Sequence, residues 1–434
     1  MMVLRNHDAL SRRRMSAMQD PVTGVYQYGL RFQGVRNAPL PCFRYMTARL
    51  TGFEKMLGRA DERLTYHLCG YGLVPGESLV SLVGETAERF SYVASQALLG
   101  DRVVRATYAD LTRDCEANGD RLCPLSLVNV VYDPGTPHWV EETDELTWLR
   151  MTSASDTSRC VLIPLQMVLP YSSGLFADEP RILPSAVSTG TACHETFERA
   201  LENCLIEYFQ IDSFNLWWFA GIESPVVRID IAECLEKWGF SRPEAREFAR
   251  EFDVTFHDIT FDKPIPIFVC EIRARRSGPL PQYTVGVQGA WDREHALYRA
   301  FMECLAVVDY NMNSVWLDAD QAGNDAEEEK SCRIDNLDDN VALYARRGCP
   351  GRSASGITAE ALVGGVGRVN GLSDFPYAGF LDITVPEFAA LGMCVVRLII
   401  PELIPMCLPS FPQRRHPRYA LAGGVVNDAP HPLA

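Results

Sequence analysis

Along this chain the apolar residues keep two different periods, and the places where the period changes mark out its elements. Over residues 76–98 they fall at Leu79, Leu82, Val83, Ala87, Phe90 and Val93. Spacings of three and four predict an amphipathic helix lying on a sheet. Two further long helices are predicted over residues 195–219 and 293–311, and a shorter one over 242–251. Strand patterns occupy much of residues 25–50, then 252–261, 265–272, 377–384 and 394–401. Residues 159–170 (RCVLIPLQMVLP) read as a buried strand, or two short strands broken by Pro164. Strands alternating with helices place the fold in the α/β class, or α+β, with mixed sheets packed against long helices.

No strong linker or internal repeat divides the chain, which predicts a single domain over residues 25–434. Residues 1–24 mix Arg12, Arg13 and Arg14 with isolated apolar positions and are expected to be a flexible extension. The acidic stretch 317–339 is expected to be an exposed loop, and the chain closes on a proline-containing tail.

Composition narrows the function. With 47% hydrophobic and 22% charged residues and a mean hydropathy of −0.06, this is an ordinary globular sequence. A net charge of −15 argues against a general nucleic-acid binder, which needs a basic surface to neutralise phosphates. The N-terminus has no apolar core of a secretory signal, and the longest apolar stretches (160–170 and 393–400) are too short to span a bilayer. A cytoplasmic protein with no membrane association is expected. None of the 14 cysteines forms a CxxC pair. Cys160, Cys193, Cys204, Cys304 and Cys394 lie in apolar runs, as buried free thiols of a reducing compartment do. Neither a P-loop nor a GxSxG elbow is present, and the eight histidines show no metal-ligand spacing.

The candidate chemistry lies on the three long helices. Glu85 and Glu88 share a face with Arg89 beside them and Ser81 one turn before. Glu207 and Gln210 repeat the spacing with Asn203 upstream, and Arg299 and Glu303 are four apart. Oxygen ligands so paired can hold Mg2+, and a nearby guanidinium can clamp phosphate oxygens. Pairs of this kind on one helix are commonly solvated surface pairs, so no single helix decides the matter.

The ordered set of motifs is more specific. Gly70-Tyr71-Gly72 followed by SLVSLVGETAERFS carries the pattern SxxxExxER at Ser81, Glu85, Glu88 and Arg89. A second segment has a turn at Ser188 and Gly190, then a helix with Glu207 and Asp212. A third, VGVQGAWDREHALYRAFMECLAVV, carries Asp292, Glu294, Ala296, Leu297, Arg299, Ala300 and Glu303. Together these resemble the motifs of the YcaO family, over about residues 25–420.

The resemblance implies an enzyme that uses ATP and Mg2+ to activate peptide-backbone amides, with the nucleotide between sheet and helices. Ring closure by a Cys, Ser or Thr side chain of a ribosomally made precursor peptide gives an azoline, whereas external sulfide gives a thioamide. By the resemblance Glu85, Glu88, Glu207 and Gln210 hold the metal. Ser81, Arg89, Ser188, Asn203 and Arg299 line the ATP site, and Arg299 and Glu303 are catalytic. The expected partners are the precursor peptide and a leader-peptide-binding protein, with a dehydrogenase and a homodimer as further family associations.

Several positions depart from the family pattern: Thr189 for asparagine, Arg199 for glutamate, Asn203 for glutamine, Gln210-Ile211 for Glu-Arg, Tyr71 where lysine is frequent, and Ala306 for glutamine. They motivate two alternatives to the cyclodehydratase reading, a catalytically degenerate scaffold and a thioamide-forming enzyme with a sulfur-delivering partner. Pro430 and Pro432 resemble part of the Pro-x-Pro-x-Pro ending of azoline-forming members.

Overall fold

A computed structural model describes residues 2–19, 25, 31–33, 40, 43–50, 67–170, 178–277, 281–312, 333–335, 337–349 and 351–434. Its strands form three sheets. The smallest is antiparallel, β1 (Arg31–Gln33), β2 (Arg44–Arg49) and β3 (His67–Gly72). A seven-stranded mixed sheet runs β5 (Arg121–Leu122), β7 (Cys160–Pro164), β6 (Glu145–Ser153), β13 (Gly379–Asp382), β14 (Cys394–Ile399) and β8 (Thr191–His194), with β4 (Val103–Thr107) also on β6. A four-stranded antiparallel sheet orders β12 (Tyr283–Gly289), β11 (Ile267–Ala274), β10 (Phe252–Asp258) and β9 (Val226–Val227).

The predicted helices are present. α1 spans Met2–Met18, α2 Pro75–Ala94, α3 Tyr108–Asn118 and α4 Phe197–Trp218. α5 (Ile231–Trp238), α6 (Arg242–Glu251), α7 (Arg293–Tyr310), α8 (Leu337–Arg347) and α9 (Ala359–Val366) follow. α2 starts with proline in its first turn and buries Leu79, Leu82, Val83, Ala87 and Val93 of the stripe its periodicity marks. Thr196 caps α4 and Asp292 caps α7, each side chain accepting a backbone N–H of the first turn. Gly70 explains the start of the first motif. A Cβ there would stand 2.1 Å from the Ser78 carbonyl oxygen, so β3 can lie this close to α2 only without a side chain.

Three local expectations change. The segment expected to be flexible forms α1, whose Met15 and Met18 are buried and whose Arg14 donates to the Leu391 and Gly392 carbonyls. After Pro164 the chain makes one helical turn, Leu165–Val168, instead of a second strand, because Gln166 turns inward to bond Glu179, Pro180 and Ile182. The expected acidic loop lies mostly outside the described residues, and positions 337–339 already begin α8.

The C-terminal tail is buried. Asn340 donates to the carbonyls of His431 and Leu433, Tyr344 to that of Pro430 and Trp218 to that of Ala429. The His431 ring bonds the Cys407 carbonyl. Every described cysteine is a free thiol, and among the described residues no helix is long and apolar enough to cross a membrane.

Beneath α4 lies a closed set of four charges. Asp212 and Asp262 face Lys263 and Arg418, with Lys263 Nζ 2.6 Å from a carboxylate oxygen of each and Arg418 bonded to both. Burial pushes both carboxyls up, yet the two cations outweigh it and hold both below the usual range, Asp262 well below. Removing one cation leaves two buried carboxylates facing a single guanidinium. Lys263→Met is therefore expected to lower unfolding stability by about 3–5 kcal/mol, measured by urea denaturation. A midpoint unchanged from the parent would show that the four charges contribute nothing net.

Candidate nucleotide and metal site

One cavity of about 1050 Å³ lies where α2, α4, β8 and the start of α7 meet, at the upper end of small-molecule sites. Each helix contributes charge to its wall: Glu88 and Arg89 from α2, Glu207 from α4, Arg299 and Glu303 from α7. The fit follows from period: side chains three or four apart on a helix share a face, and each helix turns that face inward here.

The carboxylates are held by main-chain donors. Glu88 accepts the Cys193 N–H at 2.8 Å, and Glu207 accepts the Gly190 N–H at 2.9 Å. Gly190 has φ +82, and a Cβ on it would meet the Leu398 carbonyl oxygen at 2.2 Å, so the turn that offers this N–H depends on glycine. Glu303 accepts from Gln288 Nε2 at 2.8 Å, and Gln210 donates to Gln288 Oε1 and the Gly289 carbonyl. Glu207 also interacts with the Thr191 N–H and Glu303 with the Val287 N–H, so the carboxylates are oriented by neighbouring main chain.

Not every predicted residue reaches the wall. Ser188, Asn203 and Gln210 line the cavity with Glu88, Arg89, Glu207, Arg299 and Glu303. Ser81 and Glu85 lie further along the same stripe of α2, outside that wall. Glu85 Oε2 accepts the Cys69 N–H at 2.8 Å, and its other oxygen is 3.8 Å from Arg89 Nε. Asp212 belongs to the buried four-charge set. His194 bonds the Glu195 N–H, a local cap. Trp217 and Trp218 are core residues.

Three of the departures from the family pattern have structural roles. Thr189 accepts the Met406 N–H through its hydroxyl. Tyr71 lies under Arg299, whose guanidinium carbon is 5.0 Å from the ring centre. Ala306 is packed in the core between α7 and the four-stranded sheet.

Among the residues that escaped the sequence reading, Gln288 and Leu433 line the wall and Arg397 supports it from behind. Gln288 carries the only amide side chain of β12, among buried Tyr283, Thr284, Val285 and Val287, and a polar residue ending such a strand was the available signal. Arg397 is 1% exposed and lies behind the Ser188–Thr191 turn. Leu433 brings the C-terminal tail to the cavity. The signal for both was weak, since each depends on contacts far along the chain.

Among the described residues no three His, Cys, Asp or Glu side chains are grouped closely enough to enclose an ion by themselves. The donor set suits Mg2+ in another way, through one or two carboxylates completed by phosphate and water. Electrostatics agrees. Burial raises the carboxyl of Glu88 to about 8 against partial relief from the Cys193 N–H and Arg89, and it raises Glu303 to about 7 against Gln288 and Arg299. Glu85 and Glu207 are also raised, again chiefly by burial. Its wall carries four carboxylates, Glu88, Glu207, Asp292 and Glu303, against three arginines, Arg89, Arg181 and Arg299.

The folded chain keeps protons on Glu88 and Glu303 that the unfolded chain releases near pH 4.5. Stability of the metal-free protein should therefore fall as pH rises from about 4.5 through 7 and 8. Thermal midpoints in chelator across that range test this. Glu88→Gln should flatten the upper part of the profile, and an identical slope in the variant would refute the assignment.

A family model described as YcaO cyclodehydratase, ATP- and Mg2+-binding, matches residues 69–404. Among solved structures, a heterocyclase in complex with substrate and cofactor is similar with a TM-score of 0.60 and 18% identity, covering 92% of this chain and 52% of its own. This chain thus spans about half the length of that heterocyclase. The E. coli microcin synthetase McbBCD complex gives a TM-score of 0.57 at 13% identity, covering 89% and 90%. A YcaO from Methanopyrus kandleri bound with AMPPCP and Mg2+ gives 0.50 at 15%, covering 93% and 90%. No match is found in the comparison with curated proteins. At these identities the structural likeness establishes the fold.

Proposed function

The chain belongs to the YcaO family, and on that premise we propose that its cavity binds ATP with Mg2+ to activate a peptide-backbone amide for cyclodehydration. The observation that carries this reading is the convergence of Glu88, Glu207 and Glu303, from three helices, with Arg89 and Arg299 on one cavity. Bound Mg2+ and ATP supply a phosphoryl group that converts the amide oxygen into a leaving group.

The protein's own residues position and neutralise. Glu88 and Glu207 would hold the metal, with the Gln210 carbonyl oxygen as a weaker, neutral ligand. Gln210 can serve only in this way, because its amide nitrogen is committed to Gln288 and Gly289. Glu85, outside the wall, holds Arg89 and the Cys69 N–H in place behind the metal ligands. Ser188 and Asn203 offer hydrogen bonds to the nucleotide. Arg299 directs its guanidinium at developing phosphoryl charge while Tyr71 backs it on one face. Ser81 takes part only through a shift of α2 or a water bridge.

The substrate in this reading is a ribosomally made precursor peptide, ring-closed at Cys, Ser or Thr, and a leader-peptide-binding partner delivers it. Support for a partner comes from the likeness to the E. coli microcin synthetase McbBCD complex, which is also solved with pro-MccB17 bound. Thioamide formation would use the same carboxylates with sulfide as nucleophile, and it is separated from ring closure by product mass.

Glu207→Gln is expected to lower ATP consumption on the order of 100-fold or more while leaving the fold intact, since an amide oxygen can still accept the Gly190 N–H. The check is phosphate release alongside mass spectrometry of the peptide. Loss of one water per modified residue supports cyclodehydration. A gain in mass would point to sulfur exchange, full turnover by the variant would refute Glu207 as a metal ligand, and no ATP consumption by the parent chain would identify it as a scaffold.

A further inference from the structure

His295, Arg299 and Glu303 recur every four residues along α7, so they form one stripe on the cavity wall. It spans about 12 Å from His295 to Glu303. One turn further out, just before the helix, stands Trp291, which is 61% exposed and lines the mouth of the same cavity. Its indole N–H donates to Glu202 on α4 at 2.8 Å, a bond across the mouth that fixes the ring. With the N–H satisfied, the ring offers its π faces. Beside it α4 turns Asn203 and Ile206 into the cavity, an exposed amide and an apolar side chain.

The two ends of the stripe thus differ in chemistry. The inner end gathers carboxylates and guanidinium for metal and phosphate. The outer end offers a held aromatic plane, an apolar contact and an amide with both donor and acceptor, which suit a flat, neutral heterocycle with ring nitrogens. Resting on the reading of the cavity as a Mg2+ and ATP site, we propose that Trp291 is the stacking platform for the purine base, with Glu202 as the positioning residue that holds the indole across the mouth. Asn203 then reads the edge of the base, and the ribose spans the His295 turn.

The experiment compares binding of ATP and of inorganic tripolyphosphate, each with Mg2+, by calorimetry on the full chain and on Trp291→Ala, Trp291→Phe and Glu202→Gln. Trp291 is exposed, so these variants should fold, and circular dichroism checks that they do. Trp291→Ala should weaken ATP about 10-fold, the size of a lost base–aromatic stack. Tripolyphosphate binding should stay unchanged, and Trp291→Phe should recover most of the loss. Glu202→Gln should weaken ATP less than Trp291→Ala does, because an amide oxygen still accepts the indole N–H. Equal weakening of both ligands in Trp291→Ala, or of neither, overturns the platform. So does a loss confined to precursor-peptide affinity, which would make the ring a peptide contact. Failure of the underlying reading shows separately, in the unmodified protein, as absence of binding to both ATP and tripolyphosphate.

Discussion

The cavity depends on one buried guanidinium that has no carboxylate partner among its bonds. Arg397, in β14, donates through Nε to the Val168 carbonyl and through Nη1 to the Ser188 and Thr189 carbonyls and the Thr191 hydroxyl. Its Nη2 reaches the carbonyls of Val187 and Met167. A charge 1% exposed is tolerable only with its donors satisfied, and here backbone oxygens of two segments do it. The consequence is geometric. The turn through Gly190 is pinned against the seven-stranded sheet, so its N–H meets Glu207. The strand that follows the turn offers the Cys193 N–H to Glu88. β8 thereby ties α2 to α4, and the two carboxylates stand at a fixed separation before any ligand arrives.

Two clusters of opposite character lie close together in this fold. In the Asp212, Asp262, Lys263 and Arg418 set, acids and bases are equal in number, and both carboxyls are held low. In the cavity four carboxylates, Glu88, Glu207, Asp292 and Glu303, meet three arginines, Arg89, Arg181 and Arg299, and burial pushes the three glutamate carboxyls up. The first arrangement is complete and serves to fix α4 against the Phe261–Lys263 turn and the C-terminal region. The second carries an electrostatic deficit that a divalent cation would remedy, which is how binding sites differ from structural ion pairs.

What could be read in the sequence was local. The helix stripes at Leu79–Leu82–Val83 and the glutamate spacings of α2, α4 and α7 are properties of neighbouring residues, and they recur in the structure at nearly the expected bounds. The ordered motifs pointed to the family that the 69–404 match identifies. Period alone could not say how far along α2 the cavity extends, so Glu85 and Glu88 looked equivalent although only Glu88 reaches the wall. Nor could it foresee that Arg397 would meet Ser188, or His431 the Cys407 carbonyl. Those contacts join residues distant in sequence, and their chemistry appears only when the sheets are assembled.

Leu433 completes a wall that begins at Glu88. During synthesis the first motif leaves the ribosome long before the tail does, so the nascent chain can form α2 and α4 without possessing a finished cavity. Maturation of the site is thus tied to the arrival of the tail. The same feature makes the tail a quality check on the whole domain: its anchors Asn340, Tyr344, Trp218 and Cys407 come from separate parts of the chain, and they are in place together only once the chain around them has folded.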